Sequence, residues 1–207
     1  MSENVKLVLT LIIGYLLGSI STGVIVSRVF GHKDIRSEGS GNSGTTNMLR
    51  VMGKKYALLT FAGDLFKGIA AVLIGKAWLG TQAGEIVGAF GAILGHNFPL
   101  YFGFKGGKGI LCSGTLLLLL DWRIAAVGWG LFLLLWLTTR YVSLGSVTGA
   151  FSFPVTTLLF FRGNWTVFAL SLAIAALVIW AHRSNIGRLL HGTESKFQWH
   201  KNAPGQS

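Results

Sequence analysis

Residues 115–122 read "TLLLLLDW" and residues 131–140 read "LFLLLWLTTR". Neither run can sit on a water-facing surface without exposing a long apolar strip. The rest of the chain agrees with them. Over 207 residues, 51% are apolar and 12% are charged, whereas soluble domains carry about 25% charged residues. A membrane helix needs about 20 mainly apolar residues. Outward from the two runs, seven segments meet that requirement, at about 5–30, 56–78, 84–103, 108–120, 122–139, 143–161 and 165–182. The expectation is a single all-α integral membrane domain over residues 1–207 with seven transmembrane helices. The fourth segment opens on the polar "KGGKGILCSG", so it enters only part of the bilayer or begins as a buried loop. Val5 to Phe30 is longer than the ~7–15 residues of a signal-peptide core and leads straight into further spans, so no signal peptide is expected.

The formal charge of +11 invites nucleic acid as a partner. Placing the charges removes the need for it. With the N-terminus outside and the C-terminus cytoplasmic, the cytoplasmic side receives 13 cations, including Arg28, Lys33, Arg36, Arg50, Lys105, Lys108, Arg140, Arg188 and Lys201. The outside keeps Lys6, Lys76, Arg123 and Arg162, and Lys67 falls within a span. This is the positive-inside pattern. No nucleic acid is called for. The same orientation leaves the outer loops terse and puts nearly every unusual polar cluster on the cytoplasmic face, where a site is therefore expected.

The first cluster is "EGSGNSGTTNMLR", Glu38 to Arg50, with Gly39-x-Gly41-x-x-Gly44 at dinucleotide-turn spacing. A Rossmann turn must follow a strand and open a helix in a soluble βαβ unit. Here it lies between two spans, so that reading fails. Its glycines still allow close backbone approach, and Ser40, Asn42, Ser43, Thr45, Thr46 and Asn47 supply donors. Arg50 adds a planar fork suited to phosphate. The alternative is a flexible polar loop.

The second cluster, "FGFKGGKG", lacks the Ser or Thr of a Walker A loop. It holds Lys105 and Lys108 apart by Gly106 and Gly107. Lys suits a phosphate or an anionic headgroup; ordinary basic flanking is the alternative. The third, "HRSNIGRLL", places His182 and Asn185 three apart, on one side if the helix continues. His182 either moves protons or meets a helix dipole. Glu194 is assigned a structural role, tying the tail to the basic loops. Asp64 and Lys67 stand at i, i+3 within a span. Intramembrane charges are functional suspects, but the spacing also allows mutual neutralisation, and the structural role is preferred. Gly14, Gly18, Ser19, Ser21 and Gly23 suggest close helix packing. Cys112, the lone cysteine, reads as a small buried hydrophobe. There is no His-x4-Asp signature, no Gly-x-Ser-x-Gly elbow and no His/Cys/carboxylate cluster for a metal, so neither metal nor cofactor is expected.

Three motifs together, "GSGNSGTTN…R", "GHNFPLYFGFKGGKG" and "HRSNIGRLLHGTESKF", resemble the bacterial acyl-phosphate:glycerol-3-phosphate acyltransferases, the PlsY family. The likeness runs from the first span to about residue 197. Thr45 departs from the family's usual Ala, Ser184 from a frequent acidic residue, and "GILCSG" from the usual small-residue pattern. The resemblance implies a multi-pass enzyme of the bacterial plasma membrane with its active site facing the cytoplasm. It would move a fatty acyl group from acyl phosphate to the 1-hydroxyl of glycerol 3-phosphate, giving lysophosphatidic acid and phosphate, the first step of phospholipid synthesis. It implies no acyl-CoA or acyl carrier protein as direct donor and no obligatory protein partner; membrane lipids surround it. Carried over by motif, Ser40, Arg50, Lys108, His182 and Asn185 are catalytic. Gly39, Gly41, Asn42, Thr46, Asn47, Lys105, Gly106, Gly107 and Ser143 are substrate-binding, the glycines near Lys108 being associated with glycerol 3-phosphate. The fatty chain requires a lipid-facing groove whose helices the sequence does not name. A transporter of a phosphorylated metabolite would place its site at the midplane on broken helices, with repeats. A scaffold for anionic lipids would leave the glycine spacing and the His-Asn pair without a use.

Overall fold

The computed structural model describes residues 1–197; Lys201, counted above with the cytoplasmic charges, lies outside them. Among the described residues there are ten α-helices, two short 3-10 turns and no strand. The helices are α1 (Glu3–Gly18), α2 (Thr22–Gly31), α3 (Thr45–Met52), α4 (Lys54–Leu79), α5 (Gln82–Asn97), α6 (Ile110–Leu120), α7 (Trp122–Thr139), α8 (Val142–Phe160), α9 (Trp165–Ala181) and α10 (Arg183–Leu190).

Every expected span contains a helix, but their lengths differ. Four are long and apolar enough to cross a membrane: α1 with α2, then α4, α7 and α8. A fifth is reached if α9 and α10, bent by 60° at His182, count together. Helix α5 has 16 residues, about 24 Å of rise, and α6 has 11. The glycine-rich polar stretch Gly103–Gly109 lies between them. The first expected span is two helices. Ser19 and Ser21 stand at the break, whereas Gly14, Gly18 and Gly23 serve packing as expected.

The interior is built on small residues. Gly14 and Gly18 of α1 meet Gly88 and Ala92 of α5 so closely that a Cβ on either would overlap backbone oxygen. Gly91 and Gly95 of α5 return the contact against Leu11 and Tyr15. Without a hydrophobic drive between helices in lipid, such close backbone approach supplies the packing. Large side chains point outward instead: Phe66 is 67% exposed, Leu134 59%, Leu137 61% and Phe151 61%. Water would not tolerate that surface; hydrocarbon does. A smaller core of Val24, Val26, Ile35, Met48 and Ala57 lies under the first polar loop.

Broken helices leave carbonyls without partners, and in a membrane water cannot supply them. Lys67 does. Its Nζ donates to Gly18 O at 3.1 Å and Ile20 O at 2.9 Å, and it pairs with Asp64 Oδ1 at 2.8 Å. The pair is thus neutralised as expected, and it also closes the α1–α2 break.

Candidate active site

The first loop is shaped by its own side chains. Asp34 accepts from Arg36 N and Nε, and the Arg36 guanidinium beside it holds its carboxyl well below the usual range. Arg36 also donates to Phe102 O at 2.6 Å and Lys105 O at 2.7 Å, clamping the second loop to the first. Asn47 is buried. Its Oδ1 accepts from Ser40 N at 2.8 Å, and its Nδ2 donates toward Ile35 O, Glu38 O and Asn42 O. Gly39 holds φ +59°, and a Cβ there would overlap Asn47 Oδ1. Asn42 Oδ1 accepts from Gly44 N at 2.8 Å, turning the chain into α3. That helix begins at Thr45, so its first N–H groups, which have no intrahelical partner, face whatever occupies the space beyond.

That space is a cavity of about 510 Å³. Its walls carry Gly39, Ser40, Asn42, Thr46, Asn47, Arg50, Lys108, Ser143, His182, Asn185 and Glu194. Residues from three distant motifs are therefore brought together. Gly41, Lys105, Gly106 and Gly107 are not on the wall. Lys105 is exposed, and its carbonyl belongs to Arg36. Gly106 N and Gly107 N donate to Asn97 O at 3.1 Å and His96 O at 2.9 Å, so the glycine pair anchors the Lys108 loop to the end of α5. Asn47, on the wall, has both ends of its amide engaged in shaping the loop. Arg188, Asp64 and His96 also reach the cavity and were not singled out as site residues. Arg188 stands at i+3 from Asn185 on α10, which was a legible signal. His96 lay unremarked inside "GHNFPL".

The cations divide into two groups. Arg28 and Arg36 pair with Asp34, and Lys33 with Glu38. Among the described residues Arg50 and Lys108 form no ion pair or hydrogen bond. Lys108 is half-buried. Burial, the charges of Arg188 and Arg50 pushing down and Glu194 pulling up bring its pKa to about 8. Glu194 is the hub opposite: Oε1 accepts from Ser143 Oγ and Asn185 Nδ2, each at 2.7 Å, and Oε2 from Arg188 Nε at 2.7 Å. Burial opposes its charge, but those donors prevail and lower its pKa. Ser143 thereby spends its hydroxyl on Glu194. His182 is 3% exposed, and its Nδ1 lies 2.8 Å from Val178 O. A carbonyl only accepts, so in the neutral ring Nδ1 carries the proton and Nε2 keeps a lone pair.

An apolar cavity of about 330 Å³ adjoins this one. The two share Thr45, Thr46, Ile110, Leu111, Val142, Ser146 and Phe197. It continues down α6, α7 and α8 past Trp129 and Gly149 to Leu117, Phe153 and Ile174.

A membrane helix bundle whose cleft carries Arg50 and Lys108 and opens on an apolar slot defines a class: an integral membrane protein with a cationic site beside an apolar one, suited to an amphipathic anion. Comparison with known proteins narrows it. The family model described as glycerol-3-phosphate acyltransferase matches residues 8–192. A glycerol-3-phosphate acyltransferase of Thermoanaerobacter sp. (strain X514) is 42% identical over 189 residues, covering 91% of this chain and 94% of the relative. One from Rhodopseudomonas palustris (strain BisB5) is 45% identical over 190 residues, covering 90% and 93%. The crystal structure of PlsY, an integral membrane glycerol 3-phosphate acyltransferase, in its glycerol 3-phosphate form matches with a TM-score of 0.85 at 36% identity, over 93% of this chain and 96% of that one. Its lysophosphatidic acid form matches at 0.81 and 35%, over 93% and 95%. The chain belongs to the glycerol-3-phosphate acyltransferase family.

Proposed function

We propose that this protein transfers a fatty acyl group from acyl phosphate to the 1-hydroxyl of glycerol 3-phosphate, releasing lysophosphatidic acid and phosphate. The carrying observation is the junction of two cavities, one lined by unpaired Arg50 and Lys108, the other apolar. Glycerol 3-phosphate and lysophosphatidic acid, the forms named for the two crystal structures of PlsY, support the same reading. The protein sits in a bacterial plasma membrane with its N-terminus outside and its site at the cytoplasmic face, as the charge distribution favours. It crosses seven times. Helix α5 packs among α1, α4, α6 and α9, so protein covers the ends of this short crossing, which is where irregular backbone is tolerated.

Acyl phosphate is already an activated mixed anhydride, so the main task is to hold two anions together. Proximity and orientation supply roughly 7–11 kcal/mol. Arg50, Lys108, Ser40 and the N-terminus of α3 hold phosphate, and the cations stabilise the charge that develops on the leaving group. Asn185, fixed by Glu194, and His182 orient the nucleophile. The hydroxyl oxygen attacks the acyl carbon, the bond from that carbon to the phosphate oxygen breaks, and phosphate leaves. The released proton goes to His182 Nε2 or to a phosphate oxygen. No acyl-enzyme forms. The acyl chain lies in the slot between α6, α7 and α8.

The test is purified protein in detergent with acyl phosphate and glycerol 3-phosphate, following phosphate release and lysophosphatidic acid. Lys108→Met should cost about 10²- to 10³-fold. Lys76→Met, whose partner is Glu85 at 3.2 Å, should retain activity. Equal losses, or an acyl group trapped on Ser40, would overturn the mechanism.

A further inference from the structure

At the wall of the cleft, where Asp64 and His96 reach it, lies a buried set of ionisable groups that the mechanism above does not use. Lys67 (6% exposed), Asp64 (2%) and His96 (7%) come from α4 and α5. Lys67 Nζ meets Asp64 Oδ1 at 2.8 Å, and His96 Nδ1 stands 3.6 Å from the same oxygen. Closing the α1–α2 break accounts for Lys67, and neutralising Lys67 accounts for Asp64. Neither accounts for an imidazole placed on the far side of the carboxylate. Buried charge is costly unless well paired, so the third member needs its own explanation.

The explanation is on its other side. The Nε2 edge of His96 packs against Gly107 so closely that a Cβ there would overlap the ring. The His96 carbonyl accepts from Gly107 N at 2.9 Å, and Asn97 O accepts from Gly106 N at 3.1 Å. A Cβ on Gly106 would overlap His96 O. Lys108 is the next residue, and its ammonium is one of the two uncommitted cations of the cleft. His96 thus stands between two groups: its Nδ1 edge faces the Asp64 carboxylate at 3.6 Å without a hydrogen bond, and its Nε2 edge sets the height of the backbone from which Lys108 projects. We infer that His96, wedged between Asp64 and Gly107, is a positioning residue for Lys108, and that the Lys67–Asp64 pair and His96 together join the helix break to the phosphate-holding loop. Gly107 is required because the imidazole occupies the space that a side chain would fill, and Gly106 because the His96 carbonyl does.

The inference rests on the proposed reaction for its kinetic readout but not for its binding readout. The variants are Gly107→Ala, His96→Ala, the double variant and Asp64→Asn, which also leaves Lys67 without its counter-charge. For each, KM and kcat are measured with glycerol 3-phosphate, inorganic phosphate binding is measured by thermal shift, and the unliganded melting temperature is recorded. A displacement of about 1 Å costs up to about 100-fold. Gly107→Ala should therefore raise KM for glycerol 3-phosphate and weaken phosphate binding by 10-fold or more in the protein that remains folded, with a lowered melting temperature from the overlap. His96→Ala should do the same more mildly. In the double variant the new methyl enters the space the ring has left, so its loss should fall below the product of the single losses. Asp64→Asn should shift the same parameters in the same direction. Multiplicative losses, or His96→Ala with unchanged KM and phosphate binding, would overturn the inference. If His96→Ala does not fold, His96→Gln replaces it in the cycle under the same criteria. Wild-type protein that binds phosphate but transfers no acyl group would defeat the reaction and leave the positioning open to the binding readout.

Discussion

At the scale of the residue, chemistry is decided by which polar groups remain uncommitted. Arg28, Lys33 and Arg36 are consumed by Asp34 and Glu38, while Arg50 and Lys108 face the cleft. The sequence presents these lysines and arginines alike; only their partners distinguish them. Lys108 yields a prediction with a definite sign. Its pKa is lowered to about 8 by burial, and in the proposed mechanism it is the protonated form that holds phosphate. The free enzyme therefore works below that value and loses the charge as pH rises through it. Since kcat/KM reports the free enzyme, a pH series should be level up to about neutrality and fall above about 8. Lys108→Arg, whose guanidinium stays charged, should abolish that alkaline limb even if the maximum rate drops. An unchanged limb in Lys108→Arg would show that another group titrates there.

At the scale of the element, the helices are ordered by small residues and by the repair of their ends. The contact between α1 and α5 depends on glycine from both sides. Gly91→Leu would drive a side chain into the Leu11 carbonyl, and overpacking of this kind typically costs about 1–3 kcal/mol. A lowered melting temperature in detergent, without a change in the substrate KM of the remaining folded protein, is the expected result. A melt equal to wild type would mean that the helices separate more easily than their packing indicates. Helix α3 was hidden in the sequence because its polar threonines and asparagine read as loop. Its formation depends on Asn42 and Asn47, which satisfy the turn before it. The bend at His182 was hidden for a related reason. A repeat of apolar residues through Ala181 does not reveal where the backbone changes direction.

At the scale of the molecule, the fold joins an anion cleft to an apolar slot. Val142 lies at the shared mouth and Phe153 at the deep end of one helix, so at about 1.5 Å per residue the slot is roughly 16 Å deep. Ala150, on its wall, offers a direct test. Ala150→Phe should depress turnover of long-chain donors relative to short-chain donors by about tenfold or more, with KM for glycerol 3-phosphate unaffected; equal depression for all lengths would place the fatty chain elsewhere. Apolar run length and charge bias were sufficient on their own to determine a helical membrane protein with its polar chemistry gathered in a few loops, because hydrocarbon forces backbone groups to pair within helices and leaves little choice of class. The motifs carried Ser40, Arg50, Lys108, His182, Asn185 and Glu194 as a set. Only the tertiary structure decided which polar groups face the cleft and which are used in holding it. It also decided that Lys67 mends a broken helix, that His96 sits behind Lys108, and that α6, α7 and α8 form the slot. Those outcomes depend on distances between segments far apart in the chain, which no local pattern of residues encodes.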